Sequence, residues 1–115
     1  MKTLSIKRNN DFLRLYRRGK SAADSHLICY VAPNKFGKVR LGITTSKKIG
    51  NAVRRNRARR VLRAAFREVL PEIKPGFDII LVARTKTTFT KSTALTPILT
   101  AQLRKLGALQ STKEV

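Results

Sequence analysis

The chain has 115 residues, room for one domain with a single core but not for a second folded unit. Its 26 Lys and Arg against 6 Asp and Glu give a formal net charge of +20, yet 42% of its residues are hydrophobic, so it is a packed protein and not a basic tail. Like-charge repulsion on that scale opposes compaction, which excludes solubility as its whole purpose and points to a polyanionic partner, nucleic acid ahead of acidic lipid.

In chain order, Asn9 or Asn10 can cap a short helix with Asp11 in its first turn, Phe12, Leu13, Leu15 and Tyr16 on one side, and Gly19 at its end. Phe12 and Tyr16 are either core aromatics or a stacking ledge at the rim of a groove. Residues 21–25 read as a loop. His26 to Ala32 then alternates as a strand, with Leu27, Cys29 and Val31 on one face and Ile28, Tyr30 and Ala32 on the other. The lone Cys29 cannot form an intramolecular disulfide and reads as a small buried hydrophobe. No apolar run approaches the roughly 18 residues of a membrane span and the N-terminus lacks a signal-peptide segment, so the expected location is the cytoplasm, with no membrane partner. After turn chemistry at Pro33 to Gly37, Val39 to Ser46 resumes period two and predicts an antiparallel hairpin with the preceding strand. Gly42 lies on its polar face beside Arg40, with no side chain to hold a ligand off.

The next stretch, Ser46 to Arg67, carries the strongest signal. Ala58, Val61, Leu62, Ala65, Phe66 and Val69 recur at three- and four-residue intervals and share one stripe of a helix that starts after Gly50 and Asn51 and runs to about Leu70. Arg57, Arg59, Arg60, Arg63 and Arg67 take the opposite side, and no carboxylate compensates them before Glu68. Like charges four apart cost a few tenths of a kcal/mol, so such a helix asks for an anion along it. The arginine bias matters because a guanidinium can hold phosphate with two hydrogen bonds and stack on bases. Lys47, Lys48 and the free N–H groups at the helix start extend the anionic site.

Phe77 to Ala83 is a continuous apolar run, which predicts a central strand buried on both faces and a strand-helix-strand crossover with this strand parallel to the one before the helix. Thr85 to Ser92 is polar. A last helix from about Thr93 to Leu106 presents Leu95, Leu99, Leu103 and Leu106, with Pro97 expected in its first turn. The expected ordered core is 5–106, with 107–115 fraying.

Asp11, Asp24, Glu68, Glu72, Asp78 and Glu114 are scattered, and one His26 with one Cys29 cannot build a triad or a zinc site. No phosphate-binding glycine motif is present. Binding, rather than catalysis by its own side chains, is the expected role.

Lys47-Lys48-Ile49-Gly50-Asn51-Ala52-Val53 followed by Arg55-Asn56-Arg57, Arg59-Arg60 and Arg63 resembles the Arg-Asn-Arg signature of the bacterial ribonuclease P protein subunit. Phe12 and Tyr16 before Gly19, Tyr30 in the first strand, Arg40 with Gly42 in the second and Asp78 before an apolar run are similar to the rest of that family's pattern, which covers about Lys7 to Arg84. Ala64 stands where the family often has an acid, and Arg59 replaces a frequent Lys. The resemblance implies a small α/β (α+β) sandwich of a mixed sheet and three helices, with a left-handed βαβ crossover. It also implies a protein that assists a catalytic RNA, which with magnesium removes the 5′ leader of precursor tRNA; the RNA carries the chemistry. Its partners would be that RNA and precursor tRNA, with no obligate protein partner, no catalytic residue and no cofactor of its own. Carried onto this chain, Lys47, Lys48, Asn51, Arg54, Arg55, Asn56, Arg57, Arg59, Arg60, Arg63 and Arg67 would bind RNA, and Phe12, Tyr16, Tyr30 and more weakly Arg40 would line the leader groove. A ribosomal protein would share the charge and fold class; a protein-only nuclease would need clustered carboxylates; a DNA regulator would need a helix equipped to read base edges.

Overall fold

The computed structural model describes residues 3–110. Its strands are β1 (Leu4–Ser5), β2 (Lys20–Ala23), β3 (Leu27–Pro33), β4 (Arg40–Thr44) and β5 (Phe77–Ala83). Its helices are α1 (Asn9–Arg18), α2 (Ala52–Val69), the single turn α3 (Thr85–Thr88) and α4 (Ser92–Lys105), with 3-10 turns at Lys47–Ile49 and Leu70–Glu72.

The sheet order is β1-β4-β5-β3-β2, which puts the continuous apolar strand at the centre, as its composition demands. Ile79, Ile80 and Leu81 have no exposed surface. β4 runs parallel to β5 and is joined to it through α2, so the strand-helix-strand reading holds in a mixed α+β sheet. The expected hairpin does not. β3 and β4 do not pair; β5 stands between them, antiparallel to β3 and parallel to β4, in the central position where both of its apolar faces are covered, by α2 and α4 on one side and in part by α1 on the other.

One sheet face presents Leu27, Cys29, Val31, Ile79 and Leu81 to the stripe of α2 (Ala58, Leu62, Ala65, Phe66, Val69) and to Leu95, Leu99 and Leu103 of α4. Truncating any of these leucines to alanine removes contacts typically worth about 2–5 kcal/mol. Cys29 sits within this layer, and burial pushes its thiol up to about 12, so it is inert packing. The opposite face holds a smaller cluster, Ile6, Leu15, Ala32 and Ile80, covered in part by α1.

Several local expectations change. α1 starts at Asn9, but its N-cap is Arg8 without a side-chain hydrogen bond, so neither Asn9 nor Asn10 caps it. Residues 20–23 form an edge strand on β3 and not a loop; Ser-Ala-Ala has little strand propensity, and the pairing comes from the open edge of β3. The polar stretch after β5 contains α3, whose Thr87 and Thr88 are buried. Pro97 lies in the second turn of α4, since that helix begins at Ser92. Residues 107–110 are not frayed: Ala108 and Leu109 are buried, Lys74 N–H donates to the Ala108 carbonyl at 2.8 Å, and Gln110 N–H donates to the Glu72 carbonyl at 2.8 Å. Residues 111–115 of that expectation lie outside the described residues.

Candidate nucleic-acid interface

The entry to α2 is built locally. Ser46 accepts from the Lys48 N–H at 3.3 Å, Gly50 takes a φ of +128° that other residues rarely adopt, and the Asn51 side chain caps the helix by accepting from the Arg54 N–H at 3.0 Å. This turn sets Lys47 and Lys48, both exposed, beside the helix start. The arginines then divide into two groups. Arg55 donates to the Gly50 carbonyl at 2.7 Å, Arg57 to the Thr88 carbonyl at 2.8 Å and Arg59 to the Thr45 hydroxyl at 3.0 Å, so these three tie α2 to the loops around it. Arg60, Arg63 and Arg67, with Asn56, lie within about 60° of one another on the far side of the helix. All four are exposed, and among the described residues no α2 arginine forms an ion pair. The sequence-predicted basic face is therefore real but narrower than its composition suggests. Its outward stripe carries no ion pair among the described residues, while Arg54 leans to the side, its guanidinium carbon 5.8 Å from the centre of the Phe89 ring.

On the other sheet face, α1 and β3 bring Phe12, Tyr16 and Tyr30 together. Phe12 and Tyr16 have ring centres 6.4 Å apart, and Tyr16 meets Tyr30 edge-on at 5.0 Å. Tyr16 is 39% exposed, whereas Phe12 and Tyr30 are half-buried against the smaller cluster. The aromatics are thus both packed and open, a ledge with its inner side in the core. Gly42 serves this packing and not a ligand, since a Cβ there would lie 2.8 Å from the Phe12 ring. Beyond the rings the register continues on the same sheet face to the half-buried row Ile28, Val82 and Thr44.

Arg40 is a neighbour of this ledge but not a free cation. Asp78, with no exposed surface, accepts from Arg40 Nε at 2.7 Å, from Arg14 Nη2 at 2.8 Å and from the Asn34 amide at 2.7 Å. Burial alone would raise the Asp78 carboxyl; the hydrogen bonds from Arg40, Asn34 and Arg14 and the Arg40 charge outweigh it and hold it below the ordinary range. The same contacts hold the Arg40 guanidinium above its ordinary value against the cost of burial. Asp11 adds a second carboxylate, 3.6 Å from Arg40 and 3.8 Å from Arg14, and Phe36 lies 4.5 Å over the Arg40 guanidinium. Among the described residues no three His, Cys, Asp or Glu side chains come together as a metal site, and the two acids that do converge have their oxygens turned to arginines.

The family model described as Ribonuclease P matches residues 1–107. The chain belongs to the ribonuclease P protein family. It is 44% identical over 84 residues to the ribonuclease P protein component of Clostridioides difficile (strain 630), covering 72% of this chain and 74% of that protein. The component of Oceanobacillus iheyensis is 37% identical over 113 residues, covering 97% of this chain and 93% of the relative. A solved structure of the Staphylococcus aureus RNase P protein superposes with a TM-score of 0.81 at 34% identity, covering 95% of this chain and all (100%) of the other.

Within this member of the ribonuclease P protein family, sequence reasoning left out three contributors to the two surfaces. Arg14 and Asn34 join the Asp78 network from α1 and from the turn after β3, and nothing in their local spacing marks them. Phe89 is the third, 69% exposed beside Arg54; its signal was an aromatic standing alone in a polar stretch.

Proposed function

We propose that this chain is the RNA-binding subunit of a ribonuclease P, holding the catalytic RNA along α2 and the single-stranded 5′ leader of precursor tRNA on the aromatic ledge. The observation that carries this reading is the stripe Asn56, Arg60, Arg63 and Arg67, exposed and without an ion pair among the described residues, in a chain of this family. Lys47, Lys48, Asn51 and Arg54 extend the RNA face at the helix start. Arg55, Arg57 and Arg59 support it from below, each having one hydrogen bond tied to the protein. Phe12, Tyr16 and Tyr30 offer ring surface for bases; Arg40, held by Asp78, is a weaker member of that groove and serves chiefly to seat α1. Magnesium enters with the RNA, which hydrolyses the phosphodiester bond, and the protein acts by neutralising phosphates and fixing the leader. The setting is the cytoplasm, where precursor tRNA is processed.

The purified protein with magnesium is expected to leave precursor tRNA uncut, and adding the catalytic RNA to restore cleavage, with the protein mattering most at low magnesium, where its charge replaces counterions. Cleavage by RNA-free protein would contradict the assignment of chemistry. A second measurement separates the stripe from diffuse basicity. Arg60→Gln and Arg63→Gln should each weaken binding to the catalytic RNA and reduce the slope of log affinity against log salt by about 0.7–0.9. An unchanged slope would leave these side chains as solvated surface.

A further inference from the structure

Phe89 is an exposed aromatic with no packing role that accounts for it. It ends α3, its N–H donating to the Lys86 carbonyl at 3.1 Å, and 69% of its surface faces solvent. Its position is nonetheless firmly held. Thr87 and Thr88 just before it are buried, the Thr87 hydroxyl donates to the His26 carbonyl, and Arg57 donates to the Thr88 carbonyl at 2.8 Å. The ring therefore projects from a tethered turn, close enough to α2 for the Arg54 guanidinium to lie 5.8 Å from its centre, within cation–π range. Val53, in the first turn of α2 beside Arg54, is 74% exposed. The chain contains no carboxylate from Lys47 to Arg67 or from Arg84 to Lys105, so the charged residues in the sequence around this apolar tip are all cationic.

From this arrangement we infer that Phe89 is a stacking site for an unpaired base of the RNA that lies along α2, with Arg54, beside the ring, taking a phosphate next to that base. The inference rests on the RNA-binding reading of α2 and adds a base contact to it. An exposed ring beside guanidinium groups is the combination that single-stranded nucleic acid uses, because every base has a stackable face while its phosphates need cations. Self-association through the same tip is disfavoured, since a second copy would bring its own uncompensated arginines against these.

The test compares wild type with Phe89→Ala, Phe89→Leu and Phe89→Tyr in binding to the catalytic RNA across a salt series, with thermal melting alongside. Alanine and leucine should each weaken binding by about 5- to 100-fold with an unchanged salt slope, and tyrosine should bind within about twofold of wild type. Leucine behaving like wild type would reduce the contact to apolar packing and overturn stacking. So would alanine within twofold of wild type, a loss of salt slope in the alanine variant, or a dimer in sedimentation that Phe89→Ala dissolves. If instead the wild-type protein shows no salt-dependent affinity for the catalytic RNA, and Arg60→Gln and Arg63→Gln change nothing, the RNA-binding reading of α2 itself fails. The two failures are thereby distinguished.

Discussion

Asp78→Ala is expected to destabilise the protein by about 3–5 kcal/mol, because it strands cations that were placed on the assumption of a carboxylate. Arg40 has a side chain only 13% exposed and would keep Asp11 at 3.6 Å as its remaining counter-charge, while Arg14 and the Asn34 amide would each lose a short hydrogen bond. Against a total stability of order 5–15 kcal/mol, that loss is large. It also has a pH signature. The folded Asp78 carboxyl lies below its ordinary value of 3.8, so its contribution is complete above that value and is lost as pH falls through the lowered folded value. Wild type should therefore lose stability steeply on acidification below about pH 4, and Asp78→Ala should lose less over the same range. Urea unfolding of both proteins at pH 7 and pH 3 reads both effects. A loss under about 1 kcal/mol at pH 7, or parallel acid limbs, would show that the network contributes little.

The Asp78 network also shows where sequence reading stops. α2 was legible in full because its apolar stripe repeats within one element, and the cap at Asn51 and the run of uncompensated arginines are local features. β5 was legible because a strand apolar on both faces has only one place in a sheet. The pairing of β3 with β5 was not, since it depends on which strand wins the central position and not on the turn at Pro33 to Gly37. Arg14 and Asp78 are 64 residues apart in sequence and Arg40 and Asp78 are 38 apart; no periodicity connects them. The same limit explains the arginines of α2. Spacing put them on one face, but only the loops at Gly50, Thr45 and Thr88 decide which are tethered and which remain open. Residues 107–110 had too little apolar pattern to signal burial, and they pack because the 3-10 turn after α2 presents Ile73 as a partner for Leu109.

The sequence allows the aromatic ledge to be either core or groove, and the structure leaves its rings part-packed and part-exposed, which sharpens what substitution should do. Tyr16 is 39% exposed and touches Tyr30 edge-on, a contact worth about 0.5–1.5 kcal/mol, so Tyr16→Ala should cost stability of that order. Tyr30→Ala, half-buried over the Ile80 cluster, should cost more, yet less than the roughly 3–5 kcal/mol of a fully buried aromatic. Phe12→Ala should be the most damaging of the three, because the ring fills the space that Gly42 leaves open. If the open side of the ledge stacks leader bases at about 1–3 kcal/mol each, the holoenzymes carrying Tyr16→Ala or Tyr30→Ala should bind leader-bearing precursor about 10- to 100-fold more weakly, while binding of mature tRNA, which has no leader, changes little. Core burial alone predicts a different order: losses would follow stability, be greatest for Phe12→Ala and nearly absent for Tyr16→Ala, and fall equally on precursor and mature tRNA. Melting the three variants and measuring both affinities at a temperature where all remain folded decides between these outcomes. Equal losses for the two RNAs, ranked by stability, would remove the leader from the ledge.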